Sequence, residues 1–144
     1  MKIAVDFDGT IVENKFPDIG KPMLFSIETL HELQKRRHQL ILWTFRTGHH
    51  LDEAVKFCEH HGITFYAVNH SYPEEAQEFE RNPLRYSRKI DADIFIDDRN
   101  VGGFPGWSKV FKMIHPEEGE TGLIDAEAHY NYKKKSFWGK IFGK

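Results

Sequence analysis

Four carboxylates and one hydroxyl stand where short apolar runs of this chain stop. Ile3-Ala4-Val5 runs into Asp6 and Asp8, Leu40-Ile41-Leu42-Trp43 into Thr44, and Ile94-Phe95-Ile96 into Asp97 and Asp98. Residues i and i+2 of an extended segment point the same way, so Asp6 and Asp8 can act together, one attacking while the other handles a proton. Carboxylates gathered at one place repel each other unless a cation sits among them. Hard carboxylate oxygens suit Mg²⁺, which also binds through substrate phosphate. Gly9 permits a sharp turn after Asp8, and backbone N–H groups near Thr10 can hold phosphate oxygens. Thr44 offers a hydroxyl to the same oxygens, and Lys89 or Arg88 offers the positive charge that holds an anion beside a nucleophile. Phe45, Arg46, His49 and His50 follow Thr44 and should lie near the substrate. The histidines lack the further ligands that a zinc site needs.

These groups meet only if the chain forms a particular frame. Ser26 to Arg37 reads as an amphipathic helix with Lys35, Arg36 and Arg37 at its negative end. Leu51 to His61 reads as a second helix, stopped by Gly62. Thr64 to Val68 reads as a third strand, and Pro73 to Arg81 has room for a short helix. Val110 to Ile114 is expected to be a fifth strand. Short apolar strands alternating with helices predict parallel βαβ units, with helices on both sheet faces. The expected fold class is therefore α/β, a three-layer Rossmann-like sandwich around a mainly parallel sheet. In such sheets ligands bind outside the carboxyl ends of the strands, which would bring Asp6, Asp8, Thr44, Asp97 and Asp98 to one edge.

Asp6-Phe7-Asp8-Gly9-Thr10-Ile11-Val12 resembles the first motif of haloacid-dehalogenase-like (HAD) phosphatases. Leu40 to Thr44 resembles the second motif and Ile94 to Asp98 the fourth; Lys89 best matches the basic residue of the third. The resemblance spans roughly residues 2 to 114, and the ordered set is more specific than any one motif. It implies a Mg²⁺-dependent phosphate monoester hydrolase in which Asp6 becomes transiently phosphorylated. Asp8 would protonate the leaving oxygen and then activate water, with Thr44 and Lys89 holding the phosphoryl group. Gly9, Thr10, Phe45 and Arg46 are the expected substrate contacts. The metal would be held by the Asp6 carboxylate, the Asp8 carbonyl and Asp98, with Asp97 as the indirect partner. Only Ile11 to Phe25 separates the first motif from its helix, and residues 45 to 88 are taken up by ordinary elements, so the chain resembles the capless subgroup. A nucleotide or polynucleotide-end phosphatase is a narrower alternative, since Ile96-Asp97-Asp98-Arg99 resembles the motif of such enzymes. A non-enzymatic phosphoryl-binding regulatory module on the same scaffold is the alternative of a different class.

Composition sets the limits. The chain has 144 residues, 40% hydrophobic and 29% charged, with a formal net charge of -2. That suits one domain, and it offers no overall attraction to nucleic acid or anionic lipid. With one cysteine, Cys58, no internal disulfide forms. No signal peptide or membrane-length apolar run is recognisable, so a cytoplasmic location is expected. The expected partner is a small phosphorylated metabolite, and a homo-oligomer is one way to cover an open site. Residues 1-116 form the expected HAD-like phosphohydrolase domain, and 117-144 an appended tail, basic and aromatic at its end. From Ala128 onward the tail has no acid, and Lys133, Lys134, Lys135, Lys140 and Lys144 flank Phe137, Trp138, Ile141 and Phe142. That face would dock on the parent domain or a neighbouring subunit, or form a weak membrane anchor.

Overall fold

The computed structural model describes residues 1–118. The tail beginning at Ala128, with its expected docking face, lies outside the described residues. Strand β1 spans Lys2–Val5, helix α1 Ser26–Lys35, β2 Gln39–Leu42, α2 Gly48–His60 and β3 Ala67–Val68. Helix α3 covers Glu75–Arg81, β4 Ile94–Ile96 and α4 Trp107–Ile114, with single 3-10 turns at Pro83–Arg85 and Pro116–Glu118. The protein is an α/β structure in which four parallel strands, in the order β3-β2-β1-β4, form a Rossmann-like sheet flanked by helices.

The strand pattern follows from side chains alternating between faces. Register pairs Ile3 with Leu40 and with Ile94, and Val5 with Leu42 and with Ile96. These residues share the larger core with Leu30 and Leu33 of α1, Ala54 and Cys58 of α2, and Trp107 and Val110 of α4. The intervening residues Ala4, Ile41 and Ala67 form a smaller core with Ile90, against which Trp43, Ala92 and Phe95 pack. Apolar residues of the three longer helices thus serve the first face, whereas α3 buries none of its residues. Burial pushes the Cys58 thiol up to about 12, which leaves it an inert core side chain.

The expected fifth strand at Val110 to Ile114 is instead part of α4. Trp107, Val110, Phe111 and Ile114 fall at i, i+3, i+4 and i+7, and the first three are buried along one helical stripe. A short apolar run considered without Trp107 hides that period. The third strand shortens to Ala67–Val68, paired with Ile41 and Leu42. Helix α2 begins at Gly48, earlier than expected, which puts His49 and His50 in its first turn rather than in a loop. It stops where Gly62 turns left-handed at φ 73 and Ile63 N–H donates to the Cys58 carbonyl at 2.9 Å. Among the described residues, no helix is long and apolar enough to cross a membrane.

Candidate functional site

The carboxyl ends of β1, β2 and β4 converge, because the three strands are adjacent and parallel. Asp6 directly follows β1, and its N–H donates to the carbonyl of Ile96 at the end of β4 at 2.9 Å. This bond ties the Asp6 backbone to the strand that delivers Asp97 and Asp98. One oxygen from each of Asp6, Asp97 and Asp98 lies within 4.8 Å of the others. The Asp8 carboxylate is not one of that group, though it lines the same pocket as Asp6 and Asp97.

A tight turn sets this arrangement. The Phe7 carbonyl accepts from the N–H groups of Ile11 at 2.9 Å and Val12 at 3.1 Å, while Gly9 N–H donates to the Val12 carbonyl at 2.7 Å. Gly9 has φ 89, and a β-carbon there would run into the Asp98 carboxylate. Glycine is therefore needed both for the backbone angle and for the approach of Asp98. Thr10 is fully buried. Its hydroxyl donates to Asp6 Oδ2 at 3.0 Å and accepts from the Asp98 N–H at 3.1 Å. Its carbonyl accepts from the buried Trp107 Nε1 at 2.8 Å. Thr10 thus braces the two acids against each other through its hydroxyl.

Arg46 serves a different purpose from the one expected. It is 1% exposed, although most arginines keep their charge in water. Its Nε and Nη2 donate to the two Asp8 oxygens, each at 2.7 Å. Nη1 donates to the Pro17 carbonyl at 2.9 Å, and Nη2 also to the Asp18 carbonyl at 2.8 Å. The guanidinium lies 5.0 Å from the Phe7 ring centre and 5.2 Å from that of Phe16. A planar fork gripping both carboxylate oxygens fixes the Asp8 rotamer in a way that a lysine could not.

Thr44 lines the same concavity. Its N–H donates to Asn69 Oδ1 at 2.8 Å, and its hydroxyl accepts from Arg46 N–H at 3.2 Å. Asn69 sits just after β3 with φ 55, a left-handed conformation that asparagine tolerates. Sequence reasoning missed it, though an asparagine directly after a strand was the available signal. Lys89 and Arg88 are both exposed, and neither lines the acidic pocket. The cations that do line it are Arg46, committed to Asp8, and Arg99, whose guanidinium lies 5.0 Å from the Phe45 ring centre. From sequence, Arg99 entered only as the last residue of the Ile96-Asp97-Asp98-Arg99 motif, with no role assigned. His49 and His50 pair with Glu53 at 3.2 and 3.3 Å instead of entering the pocket.

The pocket measures about 550 Å³, with Asp6, Asp8 and Asp97 among its acidic lining and Phe16, Trp43 and Phe45 as its aromatic lining. Burial pushes the Asp6 carboxyl up to about 7; the Thr10 bond opposes that shift, and the charge of Asp97 adds to it. Asp98 is also raised, first by burial and then by Asp97. Three carboxylates crowded within 4.8 Å are what a hard divalent cation relieves, so Asp6, Asp97 and Asp98 fit Mg²⁺. A second group, His115, Glu117 and Glu118, lies beyond α4, but Glu118 there is already paired with Arg36.

The raised Asp6 carries a stability consequence. Between pH 4 and pH 7 the folded chain retains a proton that the unfolded chain has released, so folding loses stability as pH rises through that window. In chelator, the wild type should lose more thermal stability between pH 5 and pH 8 than Asp6→Asn, which has no charge to bury. Parallel melting curves for the two proteins would refute this.

No protein-family model matches the chain, and no curated protein matches it. Among solved structures it is similar to a conserved protein from Bacteroides thetaiotaomicron, with 51% sequence identity and a TM-score of 0.73. The match covers 81% of this chain and 91% of that one. At that identity and coverage, the chain belongs to the same family as the Bacteroides thetaiotaomicron protein.

Proposed function

We infer that the protein is a Mg²⁺-dependent phosphate monoester hydrolase of HAD-like, capless type, with Asp6 as nucleophile. The observation that carries this reading is the meeting of Asp6, Asp97 and Asp98 within 4.8 Å, beside an Asp8 clamped by a buried arginine. A solvated turn has no reason to bury an arginine for one carboxylate. The short segments at residues 11–25 and 45–88 support the capless assignment.

In this reading Asp6 Oδ attacks phosphorus and the ester P–O bond breaks. The leaving oxygen takes its proton from the Asp8 carboxyl. Asp8 then removes a proton from water, which attacks phosphorus, breaks the Asp6–phosphate bond and releases inorganic phosphate. Arg46 grips both Asp8 oxygens, so proton transfer requires one of those bonds to yield when substrate arrives. Thr10 keeps Asp6 aimed, and the Thr44 hydroxyl is placed to meet a phosphate oxygen. Mg²⁺, held by Asp6 and Asp98 with Asp97 beside them, would offset the charge of the phosphoryl group and the carboxylates.

The test is hydrolysis of a broad phosphate-ester panel. Turnover should vanish in chelator and return with Mg²⁺, and Asp98→Asn should raise the Mg²⁺ requirement more than Asp97→Asn. A larger effect from Asp97→Asn would reverse the order of the two ligands, and chelator-resistant turnover would remove the metal from the reading.

The cation that holds the phosphoryl group is a separate matter. Lys89 matches the motif, whereas Arg99 lines the pocket. If proximity decides, Arg99→Ala should lower kcat/KM by about tenfold or more, and Lys89→Ala and Arg88→Ala should each lower it by less than about threefold. A dominant loss in Lys89→Ala would mean that its segment closes over the site when substrate binds.

A further inference from the structure

The pocket combines an acidic floor with an aromatic wall. Phe45 is 86% exposed and Phe16 58% exposed, yet both line the cleft that contains Asp6. Large rings held in water at the mouth of a polar cleft gain nothing for folding. Phe45 directly follows Thr44, and both line the pocket. The Arg99 guanidinium lies over the Phe45 ring, 5.0 Å from its centre.

The polar inventory of the wall is small. Besides its charged groups, the pocket is lined by Asn14 and Thr44 as neutral polar side chains and by Trp43, whose indole adds one donor. A leaving group rich in hydroxyls would find few partners and would leave several of its own groups unpaired. A planar ring needs a stacking surface and one or two edge contacts, which Phe45, Arg99 and Asn14 can supply. The volume of about 550 Å³ leaves room for a ring beyond the phosphate and a short linker.

We propose that Phe45, beside Arg99, forms a stacking platform that selects phosphate monoesters whose leaving group carries a planar heteroaromatic ring, nucleoside 5′-monophosphates being the chemical class. The selection rests on the phosphohydrolase reading for its catalytic test, though not for its binding test. It assigns the aromatic wall a role in specificity separate from the attack by Asp6.

Nucleoside 5′-monophosphates and hexose 6-phosphates are both unactivated esters of a primary alcohol, so a difference in kcat/KM between them reports recognition and not leaving-group chemistry. The nucleotide should be favoured by about tenfold or more, the scale of one base–aromatic stack. Phe45→Ala should erase most of that preference, with the loss mainly in KM. Phe45 is exposed, so the substitution leaves the core intact. The same pair is then compared by calorimetry on Asp6→Asn with Mg²⁺, where tighter binding of the nucleotide that depends on Phe45 supports the platform. Equal or better hydrolysis of the hexose phosphate, or a preference untouched by Phe45→Ala, overturns the platform and leaves the phosphohydrolase reading standing. Absence of any Asp6-dependent hydrolysis overturns that reading instead, and the calorimetric preference alone then decides the platform.

Discussion

Asp6→Asn should lower turnover of every substrate by at least about 10³-fold, while the protein stays folded. The substitution keeps the size of the side chain but removes the anionic oxygen that attacks phosphorus. Thr10 can still donate to the remaining carbonyl oxygen, so the turn after β1 retains its brace. The neutral amide also relieves the crowding with Asp97 and Asp98, and the variant should therefore be at least as stable as wild type at pH 8 in chelator. Stability and activity are expected to move in opposite directions, which separates a chemical role from a structural one. A folded Asp6→Asn protein with near-normal turnover would sink the phosphohydrolase reading and favour a binding-only module.

The second large effect is on stability. Arg46→Ala removes the one partner that contacts both Asp8 oxygens, and it empties a fully buried site between Phe7 and Phe16. Breaking a buried pair from one side costs about 3–5 kcal/mol, because the other charge is left without compensation. The carbonyls of Pro17 and Asp18 lose their donors as well, which loosens the loop that forms one wall of the pocket. Chemical denaturation should show the loss directly. Arg46→Lys should recover only part of it, since an ammonium cannot span two carboxylate oxygens and two carbonyls together. Asp8→Ala should cost much less in the Arg46→Ala background than in wild type, and additive losses would mean that the pair is not coupled.

Much of the frame was legible in the sequence. Apolar runs ending in Asp6, Thr44 and Asp97 identified β1, β2 and β4, and the alternation with helices implied parallel pairing. Parallel pairing alone brings their carboxyl ends together, because adjacent parallel strands must end on the same side. Strand identity and direction place Asp6, Asp97 and Asp98 on one edge, and their meeting also needs β4 beside β1. The segment from Trp107 to Ile114 was harder, since a five-residue apolar run satisfies strand and helix alike until Trp107 extends the period.

Only the tertiary structure decided what the long and the small polar side chains do. Arg46 lies 38 residues from Asp8, and no local pattern announces that its guanidinium will be buried against that carboxylate. The arrival of Asp98 and Trp107 from distant parts of the chain uses the Thr10 hydroxyl and carbonyl for bracing, which no local pattern announces. Lys89 matched a motif but stands exposed, whereas Arg99, given no role from sequence, lines the pocket over the ring of Phe45. Backbone periodicity is a local property that sequence carries directly. The partner of a flexible side chain is whichever group the fold delivers within its reach, and that depends on contacts between segments far apart in the chain.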